Sequence, residues 1–270
     1  MLFHPRYNNI LQFESFLKFD SLFQFSTAIQ GGVSKENYES FNLSMYSGDD
    51  IDNVAENRKR LVQILNIDED DLIIPYQTHE DKILIIDNQF LGKPDLEQAH
   101  LLHGIDSLIT DVKGICIAVT TADCVPIIIF DTVLKVLAVV HAGWRGTVAK
   151  LPEKTIFEMQ KRYGSKPENL IAGIGPYISQ EHFEVGHEVI ELFDSAGFDL
   201  KNIKYINNNS GKSHLDLGLA NKYSLVEAGI PGENIEISNC CTYKEEDLFF
   251  SARRQSIHSG RMLTLGILIE

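Results

Sequence analysis

Residues 120–146 read TTADCVPIIIFDTVLKVLAVVHAGWRG. Cys124 opens one apolar run, a short polar break follows, and a second apolar run is closed by His141. The pattern predicts two buried strands joined as a hairpin. A tight turn centred on Thr132 and Val133 sets the register in which Cys124 faces His141. Directly opposed residues hold their Cβ atoms about 4.5–5.5 Å apart, close enough for two ligands of one metal ion. Thr-Val is a poor two-residue turn, but a symmetric lengthening keeps the same pairing.

Two protein ligands leave a divalent ion mostly solvated, so a third is sought. Upstream, residues 73–81 read IIPYQTHED and place His79 just after a short apolar run and a proline. His79, Cys124 and His141 make a His2Cys set with a fourth tetrahedral position open, the pattern of catalytic rather than structural zinc. The ligands are 45 and 17 residues apart, and no compact motif links them. The same residues also read as a small buried cysteine and two core histidines.

The strings QTH, TADC and HAGWRG, in that order, resemble those of the YfiH-type family (DUF152), also called the laccase-domain or multicopper-polyphenol-oxidase-like family. GGVS at 31–34, FNLS at 41–44, GDD at 48–50, NR at 57–58, GIGP at 173–176, CTY at 241–243 and FFSARR at 249–254 extend the resemblance over nearly the whole chain. It implies zinc on His79, Cys124 and His141. It also implies phosphorolysis of purine nucleosides (inosine, guanosine, adenosine, methylthioadenosine) to base and ribose 1-phosphate, together with adenosine deamination. The family has further been assigned a copper-dependent phenol oxidase activity and a role in editing peptidoglycan precursors. The fold it implies is α+β, a four-layer α/β/β/α sandwich with mixed sheets (CNF1/YfiH-like), over one domain, 1–270. Hairpins and helices without steady βα alternation also argue for α+β.

The chain has 270 residues, 44% of them hydrophobic, and a net charge of -14. It can bury a large core. The acidic balance argues against nucleic acid or an anionic membrane as partner. The N-terminal residues lack a basic region followed by an apolar one, and no run reaches the length of a membrane span. Four cysteines, two of them adjacent at 240 and 241, are few for a disulfide-dependent fold. Reduced thiols and a cytoplasmic location are expected.

Along the chain, residues 13–30 predict one or two strands ended by Gly31-Gly32. FNLSMYSGDD is a loop rich in side-chain oxygens, whose Asn42 and Ser44 are candidate substrate contacts. Asp52 is the expected N-cap of a helix to Asn66, with Val54, Leu61 and Leu65 as its apolar stripe. Arg58 falls on that stripe, so it either snorkels out or enters a polar pocket, where the resemblance places it. His100 and His103 lie in a polar loop with no third ligand nearby. ICIAVTT at 115–121 is a buried strand. After HAGWRG a helix is expected from Thr147 to Gly164, with Pro152 kinking it or marking its true start. LIAGIGPYIS is a strand entering a turn, helices follow near 180–196, and Asp216 caps another that closes at Gly229. The end gives a basic turn at Arg253 and Arg254, suited to phosphate or to ion pairs, and a final strand.

Two neutral imidazoles and a thiolate leave zinc a net charge of about +1, so it remains a Lewis acid. The open position suits either a water for attack on adenosine C6 or a phosphate oxygen. Arg58 and Arg145 are the candidate phosphate contacts, Arg145 being as well suited to a structural ion pair. Asp123 is a candidate acid by proximity, although alternation turns it away from Cys124; Gln77 can share the side of His79. A copper phenol oxidase is the rival reading, since His2Cys also occurs in single copper sites. A Cys124 nucleophile with a His141 base is another, and a zinc-stabilised binding module a third. The partners expected are a nucleoside and phosphate.

Overall fold

The apolar runs between 116 and 142 become three consecutive strands, Cys116–Thr121, Val125–Asp131 and Leu137–Ala142, and they do not share one sheet. The computed structural model describes residues 1–269. Its first six-stranded sheet runs, edge to edge, Leu2–His4, Tyr7–Gln12, Leu22–Thr27, Met262–Leu268, Cys116–Thr121, Leu72–Ile73. The second runs Ile235–Ile237, Leu170–Ile174, Val125–Asp131, Leu137–Ala142, Ser107–Thr110, Ile83–Ile85. Both are mixed. Most pairs are antiparallel, but Leu72–Ile73, Ile235–Ile237 and Ile83–Ile85 pair parallel with their neighbours.

Side-chain alternation explains the layers. Ile117 and Val119 of the first sheet face Ile128, Phe130, Leu137 and Val139 of the second, all fully buried in one inter-sheet core. The opposite faces carry Cys116, Ala118, Leu265 and Ile267, packed with Leu61 and Leu65 of the helix Ile51–Leu65. On the far side, Ile127, Ile129, Ala138 and Val140 pack with helices Leu151–Tyr163, His187–Ser195 and Leu217–Glu227. The expected α/β/β/α order follows. Each fully buried Val, Leu, Ile or Phe contributes about 1.5–3 kcal/mol, so these shared faces bind the layers together. A small sheet of Glu184–Val185, Ser213–Leu215 and Lys204–Ile206 completes the fold. Among the described residues no helix is long and apolar enough to cross a membrane.

Several local expectations are corrected. The hairpin ladder pairs Pro126 with His141 and Val125 with Ala142, so Cys124 does not face His141. The loop is lengthened asymmetrically: the Asp131 carboxylate accepts Val133 N and Leu134 N, and Lys135 takes φ 58° to close it. Pro126 fits this ladder because His141 N donates instead to Asp106 O at 2.8 Å, on the neighbouring strand's side. The first long helix is capped by Asp50, not Asp52; Asp50 Oδ1 accepts Asp52 N at 2.9 Å. Its stop at Asn66, left-handed at φ 54°, is as read. The helix expected from Thr147 is two, Trp144–Val148 and Leu151–Tyr163, broken at Lys150 (φ 58°), with Pro152 in the first turn of the second. Gly164 ends it at φ 77°, a conformation glycine adopts without a Cβ penalty. Residues 13–30 hold one strand, Leu22–Thr27, as the reading of one or two allows, and a short 3-10 turn, Glu14–Phe16. The basic turn at 253–254 is a short helix, Ala252–Gln255.

Candidate active site

The site forms where the chain leaves one sheet for the other. Thr121 ends a strand of the first sheet, Ala122 to Cys124 cross over, and Val125 begins a strand of the second. Asp123 makes the bend at φ 90°, a left-handed conformation that Asp tolerates better than most residues. One step beyond the ladder, Cys124 lies against Gly143: a Cβ there would sit 2.9 Å from Cys124 Sγ and 3.4 Å from His79 Cδ2. Glycine at 143 therefore makes room for the cluster.

His79, Cys124 and His141 meet here, with one ligand-type atom from each lying within 4.8 Å of the others. The two imidazole rings are 4.9 Å apart between centroids, nearly perpendicular at 78°. Tetrahedral zinc with bonds of about 2.0–2.3 Å needs donors about 3.4–3.6 Å apart, a spacing within this bound. Two nitrogens and one sulfur suit zinc or copper. Among the described residues this is the one His, Cys, Asp and Glu group with such proximity.

One buried carboxylate holds two members of the cluster. Asp106 is fully buried, and its Oδ1 lies 2.7 Å from His141 Nδ1. That contact leaves His141 Nε2 for a metal, the usual arrangement in which a carboxylate orients a ligating histidine. The same carboxylate accepts His79 N at 3.2 Å, Glu80 N at 2.9 Å and Thr78 N at 3.4 Å. These bonds offset the strain of His79, a non-glycine residue at φ 64°. Burial by itself would raise the Asp106 carboxyl, but His141 and the backbone amides hold it below the ordinary carboxylate range. Burial would likewise raise the Cys124 thiol, yet His141 and His79 pull it down, whereas the Cys116 thiol is pushed up by burial alone. His141 is held protonated above its usual range by Cys124 and Asp106, against burial.

A cleft of about 440 Å³ opens over the cluster, within the range of small-ligand pockets. Ser44, Tyr46, Tyr76 and Gln77 line it with Thr120 and Asp123, and Phe183, Arg253, Ile257 and Arg261 come from later in the chain. Gln77 braces the floor rather than reaching outward: its Oε1 accepts Thr120 N at 2.7 Å and its Nε2 donates to Thr120 O at 2.9 Å. Asn42 is fully buried outside the cleft. It donates to Ser47 Oγ and Asp49 and accepts Ser44 N and Arg261 N, tying the Ser44 loop to the final strand. Arg58 also lies outside the lining, donating from Nε to Leu43 O at 3.0 Å; burial lowers its pKa to about 10. Arg145 is exposed away from the cleft, its guanidinium 4.1 Å over the Trp144 ring. The cleft arginines are Arg253 and Arg261 instead. Asp123 lines the cleft, but its carboxylate accepts Thr242 Oγ1 at 2.6 Å, Ser251 Oγ at 3.0 Å and Arg253 N at 2.7 Å. With these three donors engaged, it fastens the CTY and FFSARR segments to the turn that carries Cys124. His103 stacks on Tyr76 and, among the described residues, belongs to no close His, Cys, Asp and Glu group.

Sequence reading missed Asp106, Tyr46, Tyr76 and Arg261. The signal for Asp106 was an acid inside the apolar stretch HGIDSLIT: a buried carboxylate needs partners.

Fold and site together define a class, a four-layer mixed sandwich with a His2Cys cluster at the crossover between its sheets. The chain belongs to the family described as multi-copper polyphenol oxidoreductase laccase, whose pattern matches residues 23–269. It is 42% identical over 261 residues to a purine nucleoside phosphorylase of Bacteroides thetaiotaomicron, covering 97% of this chain and 96% of that one. It is 44% identical over 241 residues to adenosine deaminase RL5 of an unknown prokaryotic organism, covering 89% and 91%. Among solved structures, YfiH of Bacillus licheniformis superposes with TM-score 0.88 at 30% identity over 98% of both chains. YlmD of Geobacillus stearothermophilus does so at 0.86 and 31%, over 93% of both.

Proposed function

We propose that this protein is a zinc-dependent enzyme of purine nucleosides, cleaving them with phosphate to base and ribose 1-phosphate and deaminating adenosine. The observation that carries the reading is the His79, Cys124 and His141 cluster at the floor of a cleft of nucleoside size. The names of relatives that align over nearly the full chain support it. Zinc on these three residues would supply a Lewis acid able to activate water or hold a phosphate oxygen. Asp106 keeps His141 in the tautomer that presents Nε2 and pins the backbone carrying His79. Gln77 fixes Thr120 at the floor of the cleft. Arg253 and Arg261 bring positive charge to a chain of net charge -14, and we assign phosphate to their side of the cleft. Both are tethered: Arg253 donates to His182 O and Glu184 O, Arg261 to Ser259 O and Ile257 O. Four free thiols suit the reducing cytoplasm.

Metal-defined protein incubated with adenosine or inosine, with and without phosphate, tests this directly. Hypoxanthine from inosine only with phosphate, inosine from adenosine, and loss of both in Cys124→Ala are expected. Absence of both products from zinc-loaded protein overturns the reading. The family description also keeps a copper phenol oxidase in view, and oxygen uptake on phenols by copper-loaded protein distinguishes it.

A further inference from the structure

We infer that Tyr46 and Tyr76 form an aromatic subsite for the purine base, an assignment that rests on the nucleoside reading above. Both line the cleft over the metal cluster. Their rings meet edge to face at 4.5 Å and 84°, and His103 stacks behind Tyr76 at 4.8 Å and 24°. Tyr46 is 65% exposed and Tyr76 36%. Two large rings kept open to solvent beside a polar floor give a flat heteroaromatic ligand a π surface to stack on.

The segments that carry the rings are held in place. Tyr76 N donates to Leu102 O at 3.0 Å and Gly104 N to Tyr76 O at 2.8 Å, which fixes the backbone that carries the ring, while His103 packs against the ring itself. Tyr46 N donates to Ser44 Oγ at 3.3 Å, within the loop that Asn42 and Arg58 brace. Segments already ordered lose little freedom on binding, which favours affinity. Tyr76 also shares one short segment with Gln77 and His79. A base on this wall therefore leaves its ribose on the side of the cluster, where phosphorolysis at C1′ is proposed to occur. Ile257, 72% exposed, brings apolar surface to the same cleft from the C-terminal segment. Stacking is tolerant of the base, so this subsite admits hypoxanthine, guanine and adenine alike.

The test uses the zinc-loaded full chain with Tyr46→Ala, Tyr76→Ala and the two Phe variants, all checked for zinc content and melting temperature. Stacking lost by alanine substitution weakens base binding by about tenfold or more. The expected result is a KM for inosine raised by that factor in the Ala variants, with the KM for phosphate and the zinc content unchanged. The Phe variants, which keep the ring and lose only the hydroxyl, should recover most of the inosine affinity lost in the Ala variants. Calorimetric titration with free adenine is the second arm and needs no turnover. Adenine binding that falls in the Ala variants supports the subsite even if nucleoside cleavage fails. Wild-type protein that binds neither adenine nor inosine, or folded Ala variants that keep both affinities, overturns it.

Discussion

At the scale of single residues, Asp106 decides how well the cluster can serve a metal. It touches one proposed ligand through its ring and the other through its backbone. Replacing it with Asn leaves one acceptor oxygen for demands that two now meet. Loss of such a partner commonly weakens metal affinity about 10–100-fold, and Asp106→Asn is expected to fall in that range by chelator competition. The pH dependence follows from charge. In the metal-free protein His141 holds a proton beyond its usual range because Cys124 and Asp106 are negative beside it. Zinc must displace that proton. Wild-type affinity should therefore drop about tenfold per pH unit on going from pH 8 to 6. In Asp106→Asn the proton is held less tightly, so the curve should flatten near neutrality while the affinity itself is lower. A parallel curve for the two proteins would show that the carboxylate does not set the histidine's charge.

At the scale of elements, the strand that follows Cys124 and the strand that holds His141 were legible because a buried strand must be apolar and a polar residue marks its end. The pairing was not. Register depends on the loop, and Asp131 and Lys135 close a four-residue loop that two apolar runs cannot announce. The consequence is a different neighbour for Cys124: Gly143, not His141. A methyl at 143 would approach Cys124 Sγ to 2.9 Å while the backbone itself, at φ -65°, accepts any residue. Gly143→Ala should therefore disturb metal binding more than folding. Zinc affinity at least about tenfold lower is expected, with a metal-free melting temperature within a few degrees of wild type. Equal zinc affinity would mean that the turn has slack the packing does not suggest. Helix ends were read correctly where an apolar stripe met a terminating residue, as at Asn66, Gly164 and Gly229. Caps shifted where two acids compete, as with Asp50 and Asp52. Asp106 and the tyrosine wall escaped notice because their meaning lies in contacts between segments far apart in sequence.

At the scale of the whole molecule, the site depends on two sheets staying in place, and polar clasps at the edges assist the inter-sheet core. Glu236 lies on Ile235–Ile237, an edge strand of the second sheet. Its carboxylate accepts Ser15 N at 2.9 Å, Ser15 Oγ at 2.7 Å and Glu14 N at 3.2 Å, from the turn that leads toward the first sheet's strand Leu22–Thr27. Half-burial would raise this carboxyl, but the Ser15 and Glu14 donors and the Met1 ammonium, 3.1 Å from Oε1, hold it below its ordinary value. A lowered folded pKa means the charged form is favoured by folding. Its stabilisation is fully present above the unfolded value, about 4.3 for Glu, and is lost as pH falls through the folded value. Hydrogen bonds to a charged group contribute about 1.5–3 kcal/mol, and partial exposure puts Glu236 toward the lower end. Glu236→Gln is therefore expected to lower unfolding stability by about 1–2 kcal/mol at pH 7 in denaturant titrations. The gap between variant and wild type should narrow as the pH is brought below the unfolded carboxyl value. A gap that stays constant with pH would assign the loss to packing rather than to the charge that joins the two sheets.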